Sequence, residues 1–261
     1  MIQQPVKAEH FVIEGQTINV SSVESTVTDI VAKLKGSKKS FLVFTLNLDH
    51  LVKLRGNREF RAAYGCAEFV TADGFPIVTL AGLDGISIQR TAGSDLIGPL
   101  CRSAAANELS IFLLGTTLPV LCAVARQLTE RISGLDIRGV FAPPGGFSAK
   151  SDIAEECMRV LAESGARICF VALSAPLQEI FAAAAMKRTT GIAFIAIGAG
   201  LDFIAGTQIR SPLLLRRMNL EWLWRLSSDP GRLGGRYMRC AILFAELLGR
   251  RILGRQHKVG H

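Results

Sequence analysis

What most constrains this chain is an alternation of short, mainly apolar runs with longer amphipathic stretches. The runs fall at residues 41–46, 68–71, 110–114, 136–141, 167–173 and 191–197, and the stretches between them at 22–34, 94–106, 119–132, 151–163 and 176–188. An apolar run with no polar alternate is a strand buried on both faces, and such strands are joined by helices that cover those faces. The expectation is an α/β fold: a Rossmann-like, open, mostly parallel sheet with helices on both faces. Residues 11–20 alternate around Gly15 and Gln16 and read as a small hairpin ahead of the sheet.

Open parallel sheets bind ligands beyond the carboxyl ends of their strands. Polar residues gather at those ends. Thr45 and Asn47 close the first run, Asp73 and Gly74 follow the second, Gly115 and Thr116 the third, Gln178 and Glu179 the fifth, and Gly198 and Gly200 the sixth. Glycine at such a turn lets backbone N–H groups approach a phosphate or a base. Each polar residue has two readings. Asp73 either closes an Asp-Gly turn or reaches a bound ligand, and Asn47 either caps a helix or orients that ligand. Glu179 opens a helix, where the dipole alone favours an acid. Arg90 stands just before a helix start at Gly93, Ser94 and Asp95, as a solvated charge or as half of an anion site.

Charge is distributed unevenly. The net charge is +8, yet residues 210–261 hold eleven Lys and Arg against Glu221, Asp229 and Glu246, so the first 209 residues are neutral. The division expected is an α/β core with its hairpin over residues 1–209 and a basic, amphipathic, helical appendage over 210–261. In the appendage Leu214, Met218 and Trp222 fall four apart, as do Arg217, Glu221 and Arg225. Asp229 and Pro230 break this first helix, Gly234 and Gly235 loosen the chain, and a second helix is expected from Tyr237 to Leu253. Arginines interleaved with Leu and Trp suit a surface of phosphates over apolar chains, such as a membrane face. The longest apolar piece, residues 240–249, is half the length needed to cross a bilayer, contains Glu246 and is bounded by Arg239 and Arg250. Nucleic acid is disfavoured as a partner, because few aromatics are placed for stacking on bases. Packing against a second copy also fits an apolar, basic appendage, so a homo-oligomer stays open.

Several chemistries are disfavoured. The residues before Gly15 include Lys7, Glu9 and His10 where a signal peptide needs an apolar core, so a cytoplasmic protein on the inner face of the plasma membrane is expected. Six dispersed cysteines read as reduced core residues, and with four scattered histidines they offer no zinc spacing, so no metal or other cofactor is expected. There is no phosphate-binding loop of the NTPase type, no Gly-x-Gly-x-x-Gly at the first strand and no Asp-x-Asp. A transferase that releases a nucleoside diphosphate must stabilise it with a metal or with fixed cations, and this chain offers arginines.

In combination these residues resemble the WecG/TagA/CpsF family of bacterial glycosyltransferases. The resemblance runs through Thr45 with Asn47, Ala72-Asp73-Gly74, Arg90 with Gly93, Ser94 and Asp95, Gly146-Phe147, Pro176 with Gln178 and Glu179, and Gly198 to Gly206. It is most specific in Arg210-Ser211-Pro212, residues 220–226, Asp229-Pro230, Arg232 and Arg236-Tyr237. It implies a metal-independent, inverting transferase that moves a sugar from a UDP-sugar to a polyprenyl-diphosphate-linked saccharide in exopolysaccharide or other cell-surface polysaccharide assembly. By that likeness Asp73 is the general base, and Thr45 and Asn47 orient sugar or acceptor. Gln178, Gly115 and Gly198 contact substrate, and Arg90, Arg225, Arg232 and Arg236 neutralise diphosphate. The sugar is a hexose, N-acetylmannosamine or its uronic acid, with a hexose preferred. Ala175, Leu177 and Gly235 depart from the family pattern, which commonly has Gly, Lys and Arg there. A non-catalytic adaptor that binds membranes or polyanions through its tail is the second reading.

Overall fold

The computed structural model describes residues 10–208, residue 212 and residues 221–259, with some side chains of the last segment left aside, among them Arg225, Arg232 and those beyond Leu253. Six parallel strands form one sheet in the order β4-β3-β8-β7-β5-β6. They are β3 (Phe41–Leu46), β4 (Phe69–Ala72), β5 (Ile111–Gly115), β6 (Ile137–Phe141), β7 (Ile168–Ala172) and β8 (Ala193–Ala196). The apolar runs of the sequence and these strands coincide to within two residues at every end. A two-stranded antiparallel hairpin, β1 (Phe11–Ile13) and β2 (Gln16–Ile18), precedes the sheet, and Glu14 and Gly15 turn it through the left-handed region.

Both faces of the sheet are covered, because alternate residues of each buried strand point to opposite sides. Leu42, Phe44 and Leu46 of β3 face one core, shared with α2 (Leu48–Gly56), α3 (Arg58–Tyr64), α4 (Phe75–Leu83), α7 (Asp152–Glu163), α8 (Leu177–Met186) and the hairpin. Phe41 and Val43 face the other, with α1 (Val23–Gly36), α5 (Gly93–Ala106), α6 (Leu118–Arg131) and α9 (Gly200–Ala205). Four of these helices, α2, α3, α4 and α9, were not expected from the sequence. The first two start at Asn47 and Asn57, whose side chains accept the N–H of His50 and Phe60 at 2.9 Å.

Two glycines set the packing near the strand ends. A Cβ on Gly115, at φ +111°, would lie 2.2 Å from the Ala172 carbonyl of β7. A Cβ on Gly93 would lie 2.6 Å from the Ala196 carbonyl. The first residue of α5 is therefore pressed against the end of β8, which brings the Arg90–Asp95 segment to the carboxyl edge of the sheet.

The appendage departs from expectation in three ways. One helix runs Glu221–Ser228 and a second runs without interruption from Pro230 to Val259, so Gly234 and Gly235 lie inside a helix rather than in a hinge. Pro230 occupies the first turn, where its missing N–H costs nothing. Residues 240–249 are not an isolated apolar piece: Cys240, Leu243 and Leu247 are buried, the last two in the core shared by α2 and α4. Ion pairs fasten the same helix from outside, with Arg55 to Glu246 at 2.8 Å, Arg250 to Glu246 and Glu14, and Arg251 to Asp84 at 3.0 Å. The expected helical stretch that includes Leu214, Met218 and Arg217, together with Arg210, lies outside the described residues. Among the described residues no helix is long and apolar enough to cross a membrane. The cysteines are unpaired, but Cys66 and Cys122 are exposed, so only four of the six are core residues.

A docked helix and a free amphipathic one predict different costs for the same deletion. Leu243→Ala is expected to lower stability to urea unfolding by roughly 2–5 kcal/mol, the cost of emptying a closed core position. A loss within ~0.5 kcal/mol, as for an exposed site, would mean that the helix is not part of the core.

Candidate active site

The carboxyl ends of β3, β4, β7 and β8, with the turn after β5, surround one cleft of about 1330 Å³. The two C-terminal helices form its remaining wall through Trp224, Asp229, Leu233, Arg236, Tyr237 and Phe244. It is the size of a site for a nucleotide-sized ligand, at the place where an open α/β sheet binds one.

Asn47 and Asp73 meet on its floor. The Asn47 carbonyl oxygen is committed to the cap of α2, which leaves its Nδ2 to donate to Asp73 Oδ2 at 3.2 Å. Asp73 is half-buried, and its own N–H donates to the Leu46 carbonyl at 2.8 Å. The two readings of these residues are thus compatible: Asn47 is a helix cap and a cleft residue, and Asp73 precedes a turn glycine at φ +93° while lining the cleft. Thr45 lies beside them, largely buried, with its carbonyl accepting from the Tyr64 hydroxyl at 3.3 Å.

Positive charge lines the cleft from three elements. Arg90 is held 2.8 Å from Asp95 on the first turn of α5. On α2, Lys53 lies 2.7 Å from buried Asp49 and donates to the Ala175 carbonyl at 2.9 Å. Arg236 of the C-terminal helix places its Nε 3.1 Å from the other oxygen of Asp49. One buried carboxylate therefore holds two cations at the mouth of the cleft, and one of them belongs to the appendage. The side chains of Arg225 and Arg232 lie outside the described residues. Gly198 lines the cleft and donates its N–H to Gln178 Oε1 at 3.1 Å. Gly115 does not line it; the adjacent Thr116 does, and donates to Asp202 Oδ1 at 2.8 Å.

Beneath this surface runs a buried polar chain. His50 Nδ1 and the Tyr64 hydroxyl are 2.7 Å apart, and His50 Nε2 is 3.8 Å from Glu179 Oε1, which accepts from Gln178 Nε2 at 2.7 Å. Burial dominates its electrostatics. It pushes His50 down to about 3, so the ring is neutral, and it pushes the Glu179 carboxyl up to about 7 against the Gln178 hydrogen bond that favours ionisation. The Tyr64 hydroxyl is raised for the same reason.

Sequence reading missed Asp49, His50 and Lys53 as cleft residues. The signal was the Asp49–Lys53 spacing of four, which places an ion pair on one helical face once Asn47 is recognised as a cap. Among the described residues no group of three His, Cys, Asp or Glu side chains is arranged to hold a metal ion.

A family model described as the glycosyl transferase WecG/TagA/CpsF family matches residues 11–258. Among curated proteins, the chain is 26% identical over 233 residues to N-acetylglucosaminyldiphosphoundecaprenol N-acetyl-beta-D-mannosaminyltransferase from Bacillus spizizenii, covering 89% of this chain and 86% of the relative.

The buried pair gives stability opposed dependences on pH. His50, lowered from 6.5 to about 3 on folding, makes stability rise as pH climbs from about 3 to 6.5. Glu179, raised from 4.5 to about 7, makes stability fall as pH climbs from 4.5 to about 7, because the folded state alone keeps the proton there. Glu179→Gln removes the second effect. Relative to wild type, the variant is expected to gain up to about 3 kcal/mol in urea unfolding between pH 4.5 and 7.5, and a constant difference across that range would contradict the assignment.

Proposed function

Since the chain belongs to the WecG/TagA/CpsF family of glycosyltransferases, we propose that its cleft transfers N-acetylmannosamine from a UDP-sugar to a polyprenyl-diphosphate-linked N-acetylglucosamine, with inversion and without a metal. The observation that carries the reading is the pairing of Asp73 with Asn47 at the carboxyl edge of the sheet, opposite cations on α2, on the C-terminal helix and before α5. The sugar follows the name of the Bacillus spizizenii relative and displaces the hexose preferred from sequence.

In the proposed step the acceptor hydroxyl gives its proton to the Asp73 carboxylate, and its oxygen bonds to the anomeric carbon of the donor. The bond from that carbon to the phosphate oxygen breaks on the opposite face, and the electron pair leaves with UDP. A single carboxylate suffices for such a one-step displacement. Asn47 Nδ2 orients that carboxylate. Arg90, Lys53 and Arg236 supply fixed positive charge for the departing and the lipid-linked diphosphates, which is the service a divalent ion gives elsewhere. Thr45, Gln178 and the Gly198 turn shape the sugar pocket between them.

The acceptor's polyprenyl chain sits in a bilayer, and the reading places the protein peripherally on it. Support comes from the outer face of the C-terminal helix. Met238 is 63% exposed, Ile242 62% and Leu253 64%, beside exposed Arg239 and Arg250, while the inner face is buried. Apolar residues flanked by arginine fit the headgroup boundary.

Two experiments test the reading. With UDP-N-acetylmannosamine, a polyprenyl-diphosphate N-acetylglucosamine acceptor and EDTA, wild type is expected to release UDP and form the disaccharide. Asp73→Asn should lose about 10²–10⁴-fold in kcat with UDP binding retained; unchanged turnover would remove Asp73 from its role. The pair Met238→Glu and Ile242→Glu should abolish flotation with anionic vesicles and spare transfer to a short-chain, water-soluble acceptor. Equal loss on both acceptors would argue against lipid contact by this face.

A further inference from the structure

Glu179 has no place in the proposed chemistry, no exposed surface and no part in the lining of the cleft, yet its carboxyl touches two of the cleft's walls. We propose that Glu179 is a positioning residue for transfer, orienting the Gln178 amide and the His50 ring and through them fixing the turn after β8 and the first turn of α2.

The geometry leaves the Gln178 amide little choice. An amide has one accepting end and one donating end. Glu179 Oε1 takes the donating end at 2.7 Å, so the accepting end faces Gly198, whose N–H it receives at 3.1 Å. Without an acceptor at residue 179, nothing stops the amide from turning over and setting NH₂ against N–H. The Gly198 turn, at φ +52° on the cleft wall, would then lose the bond that holds it. On its other side the same Oε1 lies 3.8 Å from His50 Nε2. The opposite ring nitrogen of His50 meets the Tyr64 hydroxyl, and that hydroxyl reaches the carbonyl of Thr45. The carboxyl thus connects two walls of one cleft, the α8 side with Gln178 and the β3–α2 side with Thr45 and Asn47.

A second observation concerns the other carboxyl oxygen. Glu179 Oε2 is buried and has no hydrogen-bond partner among the described residues. An ionised carboxylate in that state is costly, whereas a protonated one carries no charge to leave unpaired. Burial of the group, which pushes it up to about 7, agrees with a neutral acid below that pH. The titratable and charged groups around Glu179 and its partners are Asp49, His50 and Lys53 on α2, Tyr64 on α3, Asp73 after β4 and Arg236 on the C-terminal helix. Ionisation of Glu179 adds a negative charge beside a ring that cannot take up a proton in this pH range. The positioning should therefore weaken as pH rises through about 7.

Its kinetic readout rests on the sugar-transfer reading above; its structural readout does not. The full-length protein is compared with Glu179→Leu, which keeps bulk and removes the acceptor, and with Glu179→Gln, which keeps an acceptor and cannot ionise. The expected result for Glu179→Leu is hydrogen exchange at the Gly198 amide faster by about tenfold or more. Its kcat should be lower by about tenfold to a hundredfold, with a smaller change in donor KM. Glu179→Gln should restore slow exchange and most of kcat, and should lack the decline in kcat that wild type shows above about pH 7. A folded Glu179→Leu with wild-type exchange at Gly198 and wild-type kcat would overturn the proposal. Should Glu179→Leu not fold, Glu179→Gln decides: a kcat profile that superposes on wild type through pH 7 overturns it, and loss of the decline supports it. If no form, wild type included, transfers sugar, the function reading fails, and exchange at Gly198 alone decides the role of Glu179.

Discussion

The rest of this molecule depends on the fact that all six strands of its sheet point the same way. Parallel neighbours cannot be joined by a tight turn, so every connection leaves a carboxyl end and returns over a face of the sheet. Residues after consecutive strands, far apart in sequence, are thereby delivered to one edge. Asn47 and Asp73 are 26 residues apart and share a hydrogen bond, and Gln178 meets Gly198 across the ends of β7 and β8. The cleft is a consequence of topology before it is a consequence of any particular side chain. Gly93 and Gly115 show how tightly that edge is packed, since neither position has room for a methyl group.

Onto this edge the fold places two kinds of polar group with different physics. At the mouth, Asp49 is buried but lies within 3.1 Å of both Lys53 and Arg236, so its desolvation is offset by two opposite charges, which leaves a cluster of net positive sign. From the cleft wall inward, His50 and Gln178, which line the cleft, and Tyr64 and Glu179 behind them are buried with no comparable countercharge, and neutrality takes the place of pairing. The first arrangement attracts an anion, while the second fixes backbone turns without drawing a counterion into the core. The division matches the chemistry proposed, in which diphosphates are bound at the rim and a hydroxyl is deprotonated on the floor.

How much of this was legible in the sequence follows from the same physics. Buried strands read as continuous apolar runs, and the edge strand β6, half-buried and interrupted by Arg138, by its place in the alternation, so all six were visible to within two residues. Helices with an exposed polar face were visible for the same reason. Helix α4, Phe75–Leu83, is apolar nearly all round, so no face stands out and no helical period appears. Helices α2 and α3 are short and polar, and only their capping asparagines announce them. Because α2 was missed, so were Asp49, His50 and Lys53, whose meaning comes from sharing a helix that faces the cleft. Asp73 and Asn47 were legible because strand ends are marked. Gly115 was marked equally well, yet it serves packing against β7, a distinction that rests on which way a turn faces and has no signature in composition. Two glycines and a proline suggested a hinge near residue 235, but tertiary packing of Leu233, Cys240 and Leu243 outweighs the weak helical propensity of Gly234 and Gly235.

The C-terminal helix gathers these strands of reasoning into one mechanical element. Its inner face completes the core through Leu243 and Leu247, its first turns line the cleft through Leu233, Arg236 and Tyr237, and its outer face exposes Met238, Ile242 and Leu253. A helix tied to the core by buried leucines and by Glu246 and Arg251 cannot roll its whole apolar surface into a bilayer, so any lipid contact must be made by the outer stripe alone. Arg236 is part of the same rigid rod, less than two turns from that stripe. In the proposed reaction, the element that meets the polyprenyl chain would therefore also present the cation that meets its diphosphate, and the distance between them would be set by helix geometry rather than by a flexible linker. Anchoring and alignment of the acceptor then follow from a single packing decision, the burial of one helix face against α2 and α4.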